Sequence, residues 1–253
     1  NAVSTEELVR DLRATEPAGE ASNLGVAGMT SGFIDVSEKL SDALPLYLGV
    51  VVGLSLLIMV LVFRSILVPL IATGGFVLSM FAAMGGVVAI YQWGWLGSVF
   101  GVHNPGPVLS FLPTIMIGVL FGLAMDYQVF LVTRMREHIS RHPEGTGGRY
   151  SAVDEATITG FTQGARVVTA AAIIMISVFV AFINQPLPFI QIFGFALAAG
   201  VLFDAFFVRM ALVPAAMFLL GRATWYMPKW LDKILPTIDI EGEELEKEYE
   251  LSH

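Results

Sequence analysis

Asp126 and Tyr127 stand near the end of an apolar stretch, VLSFLPTIMIGVLFGLAMDYQVFLVTRMRE, and no Asp, Glu, Lys or Arg precedes them from Ser65 to Met125. An ionisable group at the centre of a membrane helix costs at least about 2.5–3.5 kcal/mol, so an acid in such a run marks an ion path, a proton relay or a buried pair. A carboxyl group suits a relay because burial favours its neutral form and a neighbouring cation its charged form. Gly118, Gly122, Asp126 and Phe130 recur every four residues and therefore share one helix face. The G-x-x-x-G spacing lets another helix come close, which aims the carboxylate at a protein neighbour rather than at lipid. The competing reading gives Asp126 a fixed buried hydrogen bond, or cytoplasmic water near Arg134, and lets Tyr127 fill a gap with its hydroxyl satisfied locally.

A second charged pair, Asp204 and Arg209, lies in the last apolar run. Five residues on an α-helix separate side chains by about 140°, so each is expected to meet a neighbouring helix, or Arg209 to snorkel. Their role is either structural pairing or coupling. Pro69, Pro113 and Pro214, with Gly74, Gly75, Gly85 and Gly86, suggest kinks and close packing. There is no cysteine and the four histidines are assigned to loops or the tail rather than to a ligand set, so no metal site is expected. No Ser-His-Asp order, P-loop or dinucleotide glycine pattern occurs, and nothing argues for an enzyme or for ATP hydrolysis.

These residues need a scaffold in lipid. Apolar residues make up 55% and charged residues 14% of the chain, and mean hydropathy is +0.73; a soluble domain carries about 25% charged residues. The expected fold is an all-α membrane protein with five helices, at about 44–63, 68–91, 108–133, 163–183 and 189–220, each near the roughly 20 residues that span a bilayer. Residues 44–221 form this membrane domain. Arg64, the group Arg134, Arg136, Arg141, Arg149 and Arg166, and the group Arg222, Lys229 and Lys233 fall in alternate loops, while 92–107 and 184–188 have no Lys or Arg. The positive-inside rule then places the N-terminus outside and the C-terminus in the cytoplasm of a plasma-membrane protein.

Residues 1–43 read as the end of an extracytoplasmic α+β domain whose remainder lies outside this chain: an amphipathic helix at Ser4–Arg13 with Leu8, Val9 and Leu12 on one face, a strand at Asn23–Met29, a turn at Thr30–Gly32 and a helix from Phe33 into the first span. With no signal peptide at its start, the segment is expected to reach the membrane through something upstream or a partner chain. His142–Gly148 reads as a turn, and the capping box Ser151–Asp154 as the start of a surface helix that ends before Arg166. Residues 222–253 supply an interfacial anchor of Trp225, Tyr226, Trp230, Lys229 and Lys233 and an acidic tail expected to be disordered. The net charge of -8 comes from the two ends and offers no surface for nucleic acid.

Four blocks carry a resemblance: Phe63–Leu70 (FRSILVPL), Gly122–Glu137 (GLAMDYQVFLVTRMRE), Gly164–Ala172 (GARVVTAAA) and Asp204–Ala215 (DAFFVRMALVPA). Together with the aromatic segment Trp225–Pro236 they resemble the actinobacterial MMPL transporters of the RND superfamily, over about residues 23–236. The resemblance implies a protein of two similar halves, of which this chain matches the end of the second extracytoplasmic porter domain and the last five spans. It implies that an Asp-Tyr pair from each half meets in the bundle centre and relays the protons that drive export of lipids or other hydrophobic envelope molecules, with no cofactor beyond the proton gradient. Asp126 and Tyr127 match the second-half pair. The implied partners are the N-terminal half or a partner chain, membrane lipid and a hydrophobic substrate. Two other classes stand beside it: a protein-export accessory of the same superfamily, and a membrane scaffold that transports nothing.

Overall fold

The computed structural model describes residues 3–15, 25–102, 105–106, 108, 110–141 and 152–228. Every regular element among them is helical, and five helices are long and apolar enough to cross a membrane. The protein is an all-α, multi-pass membrane protein. The chain divides after Gly49 into two compact units.

The first unit holds α1 (Val3–Ala14) and the beginning of α2 (Met29–Phe63). Arg13 ties the two helices: its guanidinium donates to both carboxylate oxygens of Asp35, at 2.6 and 3.0 Å, and to the Ser31 hydroxyl at 2.5 Å. Val9 and Ile34 are buried, whereas Leu8 and Leu12 of the expected apolar face are exposed. The expected strand is absent from its described part. Residues 25–28 are irregular and α2 already begins at Met29, so the expected turn at Thr30–Gly32 is helical as well. A lone strand has no ladder to satisfy its backbone; here the Ser31 hydroxyl donates to the Val26 carbonyl and the Gly32 N–H to the Gly28 carbonyl, which starts a helix instead.

The second unit is the bundle. It contains the rest of α2, α3 (Leu67–Val87) continued by a π-helical turn Val88–Gln92, the short α4 (Gly97–Phe100), α5 (Leu112–Arg141) and α6 (Ala152–Ile183). The last span is α7 (Pro188–Leu202), a π-helical segment Phe203–Leu212 and α8 (Val213–Leu220), closed by a 3-10 turn Gly221–Trp225. α6 packs along both α5 and α7, and α3 packs against α7 and the π-helical segment. One core gathers Phe76, Val87, Leu112, Met116 and Leu120; a second gathers Met59, Phe63, Val68, Val132, Met135 and Met217.

Several expectations change with the elements in view. Pro69 and Pro113 fall in the first turns of α3 and α5, where a missing N–H breaks no helical bond, and Pro214 sits at the start of α8. Pro69 and Pro113 begin helices rather than kink them, whereas Pro214 lies inside the continuous last span, directly after its π-helical segment. α5 runs through Arg141, beyond the expected end of the third span. α6 is one helix from Ala152 to Ile183 rather than a surface helix followed by a span. His142–Gly148, Ser151, Lys229, Trp230, Lys233 and the acidic tail lie outside the described residues.

The FRS block acquires a structural reason. Phe63 is 1% exposed, and the Ser65 hydroxyl donates to the Thr224 carbonyl at 2.5 Å while accepting the Val68 N–H at 3.3 Å. The α2–α3 turn is thereby fastened to the end of the last span.

The close helix approach made by glycine spacing occurs at Gly160 and Gly164 of α6. A Cβ at Gly160 would stand 2.9 Å from the Met135 backbone nitrogen and 3.1 Å from its Cα. The obstacle is backbone and cannot swing aside. Gly160→Ala is expected to lower the stability of the bundle by about 1–3 kcal/mol, the usual cost of overpacking, as read by thermal unfolding in detergent. A midpoint equal to that of the unsubstituted protein would contradict the packing.

Candidate functional site

The α5 helix carries the acid and the tyrosine to different surroundings. Gly118, Gly122 and Asp126 are all exposed in this chain and Phe130 is half-buried. A Cβ added at Gly122 would meet nothing within 4 Å. Asp126 makes no hydrogen bond or ion pair among the described residues. The glycine face therefore does not pack within this bundle; it is an open, smooth strip with a carboxylate on it, flanked by exposed Ile115, Val119 and Val129.

Tyr127, one residue on, turns toward the bundle. The Arg209 guanidinium lies over its ring, 5.6 Å from the centroid, a geometry in which a desolvated cation gains about 2 kcal/mol. Arg209 is 3% exposed. Its Nε donates to Asp204 Oδ2 at 2.7 Å, and its Nη2 donates to the Ala124 carbonyl. That carbonyl sits one turn before Gln128, which is 2% exposed. The buried cation is thus held from two helices, by a carboxylate on its own span and by α5 beside the Asp-Tyr pair.

This arrangement overturns the expectation that Asp204 and Arg209 point apart. The α-helical angle does not apply because residues 203–212 are π-helical, with i→i+5 bonding, so a residue five positions on lies one turn above. Two features escaped the sequence reading: the docking of Arg209 onto the Ala124 carbonyl and the burial of Gln128. A charge pair at i, i+5 inside an apolar run was the available signal for the first. Among the described residues no group of three or more His, Cys, Asp or Glu side chains gathers as a metal site would require.

The sequence model of the MMPL family matches residues 2–234. The chain belongs to the MMPL family. It is 47% identical over 248 residues to the membrane protein YdfJ of Bacillus subtilis, covering 98% of this chain and 33% of YdfJ. It is 33% identical to the mycolic acid-containing lipids exporter MmpL11 of Mycolicibacterium smegmatis, covering 94% of this chain and 24% of that protein. With the trehalose monomycolate exporter MmpL3 of the same organism it shares 31% identity, covering 95% of this chain and 23% of that protein. The MMPL likeness therefore reaches beyond the actinobacteria, and the chain spans a third or less of each of these relatives. Within the MMPL chain, the family-like blocks at Gly122–Glu137 and Asp204–Ala215 are the two that Arg209 joins.

Proposed function

We propose that this chain is the C-terminal half of a proton-motive-force-driven MMPL exporter, with Asp126 and Tyr127 in its proton relay. The observation that carries the reading is the open face of α5: an intramembrane carboxylate on a strip smoothed by Gly118 and Gly122, which none of the described residues covers. Left against lipid, the charge costs at least about 2.5–3.5 kcal/mol. A matching helix from the N-terminal half or a partner chain removes that cost and closes the relay around Asp126. Arg209, over the ring of Tyr127, ties the helix that carries the pair to the last span. The substrate class is a lipid or other hydrophobic envelope molecule, on the strength of the names of MmpL11 and MmpL3.

The reading makes this chain insufficient alone. Reconstituted as a monomer in vesicles it is expected to move no lipid and no protons, and to self-associate through the α5 face. Proton-coupled export by that monomer would refute the need for a second half.

The proposed orientation puts Ser98 outside and Thr146 in the cytoplasm. A cysteine at Ser98 is expected to react with an impermeant thiol reagent on intact cells, and one at Thr146 only after permeabilisation. The reverse labelling would overturn the orientation inferred from the arginines.

A further inference from the structure

The last span is interrupted: Phe203–Leu212, 10 residues, is π-helical between α7 and α8. π-Helices occur mostly as single-turn bulges, frequently at functional sites, so a run of this length needs something that selects it over α-helix. Side chains at i and i+5 are stacked by π geometry and about 140° apart in an α-helix. Asp204 and Arg209 have that spacing, meet at 2.7 Å and are both buried. A charge-assisted hydrogen bond is roughly twice as strong as a neutral one, and the π register is what brings the two ends of this one together, with Pro214, which has no N–H to give, directly after the segment.

The surroundings leave the pair as the controlling charge. α5 presents Tyr127, with Asp126 beside it, to this segment. α3, α7 and α8 carry no titratable side chain. From α6 the nearest polar group is the Thr169 hydroxyl, which lies 3.8 Å from the Met210 sulfur; Arg166 is exposed, and Asp154 and Glu155 are in the first turn of α6.

We propose that the Asp204–Arg209 pair is a register clamp: it holds residues 203–212 as π-helix, and protonation of Asp204 lets the segment relax toward α-helix and turns α8 about its axis. The proposal rests on the proton-coupled reading and gives the pair a positioning role. Its output is α8, which shares with α6 a groove of about 540 Å³ lined by Ile158, Phe161, Pro214, Phe218 and Leu219. A turn of α8 changes the side chains it presents to that groove, so a proton taken up in the bundle centre becomes a movement at the end of the span.

The test uses the complete protein with two cysteines only, spin-labelled for distance measurement. One pair joins Leu219→Cys on α8 to Ile174→Cys on α6, both exposed, at 86% and 64%. The control pair joins Ile174→Cys to Phe189→Cys on α7, before the clamp. At neutral pH, Asp204→Asn and Asp204→Ala are expected to shift the 174–219 distance by on the order of 5 Å, about half a helix diameter, in the direction taken by the unsubstituted protein at low pH. The control distance stays put. Should Asp204→Ala lose its fold, seen as a broadened control distance, Asp204→Asn keeps the side-chain shape and decides. An unchanged 174–219 distance in a folded Asp204 variant overturns the clamp. Asp126→Asn separates the two readings: lost export with no movement in the Asp204 variants removes the clamp alone, whereas movement with export intact in Asp126→Asn removes the relay alone.

Discussion

Asp126→Asn in the complete transporter is expected to reduce export at least about a hundredfold, the lower end of what a lost proton-transfer group costs, with the protein at normal level in the membrane. Asparagine keeps the size of the side chain and can still accept a hydrogen bond, but it cannot exchange a proton. The exposure of Asp126 in this bundle means that no internal ion pair is broken by the change, so the loss is one of turnover rather than of folding. Tyr127→Phe removes a single hydroxyl and keeps the ring under Arg209. It is expected to slow export only a few-fold, in line with a net hydrogen-bond contribution of about 0.5–1.5 kcal/mol. Export assays at matched membrane levels check both; wild-type export by Asp126→Asn would favour the scaffold class.

Arg209→Met is expected to destabilise the protein by about 3–5 kcal/mol, because removing one partner of a buried ion pair leaves the other charge uncompensated. Here the abandoned group is Asp204, 8% exposed, and the Ala124 carbonyl loses a donor as well. Adding Asp204→Asn to Arg209→Met removes the stranded charge and should recover part of the loss. The two changes are therefore non-additive, as contacting residues are. Thermal unfolding of the two single variants and the double variant in detergent measures this coupling. Strict additivity would mean that the pair contributes nothing beyond its separate side chains.

The membrane class and the five spans were legible because both rest on long apolar runs, which lipid enforces. Asp126 was legible for the same reason, as the one charge in such a run. What the sequence left hidden is where regular periodicity breaks. The π-helical segment shifts the angle between Asp204 and Arg209, so a calculation that assumes α geometry separates residues that touch. Glycine spacing was ambiguous in a similar way. Gly118 and Gly122 have the pattern of a packing face yet are exposed here, while Gly160 and Gly164, with the same spacing, do pack on α5. Spacing says that a helix can come close; only the fold says which one does. The expected strand failed because a β signal in a short segment depends on a partner strand, and the described residues contain none.

The central claim is that Asp126 carries protons through the assembled transporter. The most direct measurement is proton uptake by the complete protein reconstituted in vesicles, followed with a trapped pH-sensitive dye under an imposed pH gradient in the presence of a lipid substrate. Substrate-dependent acidification is expected for the unsubstituted protein and only background leak for Asp126→Asn at equal protein density. Equal rates in the two would contradict that claim.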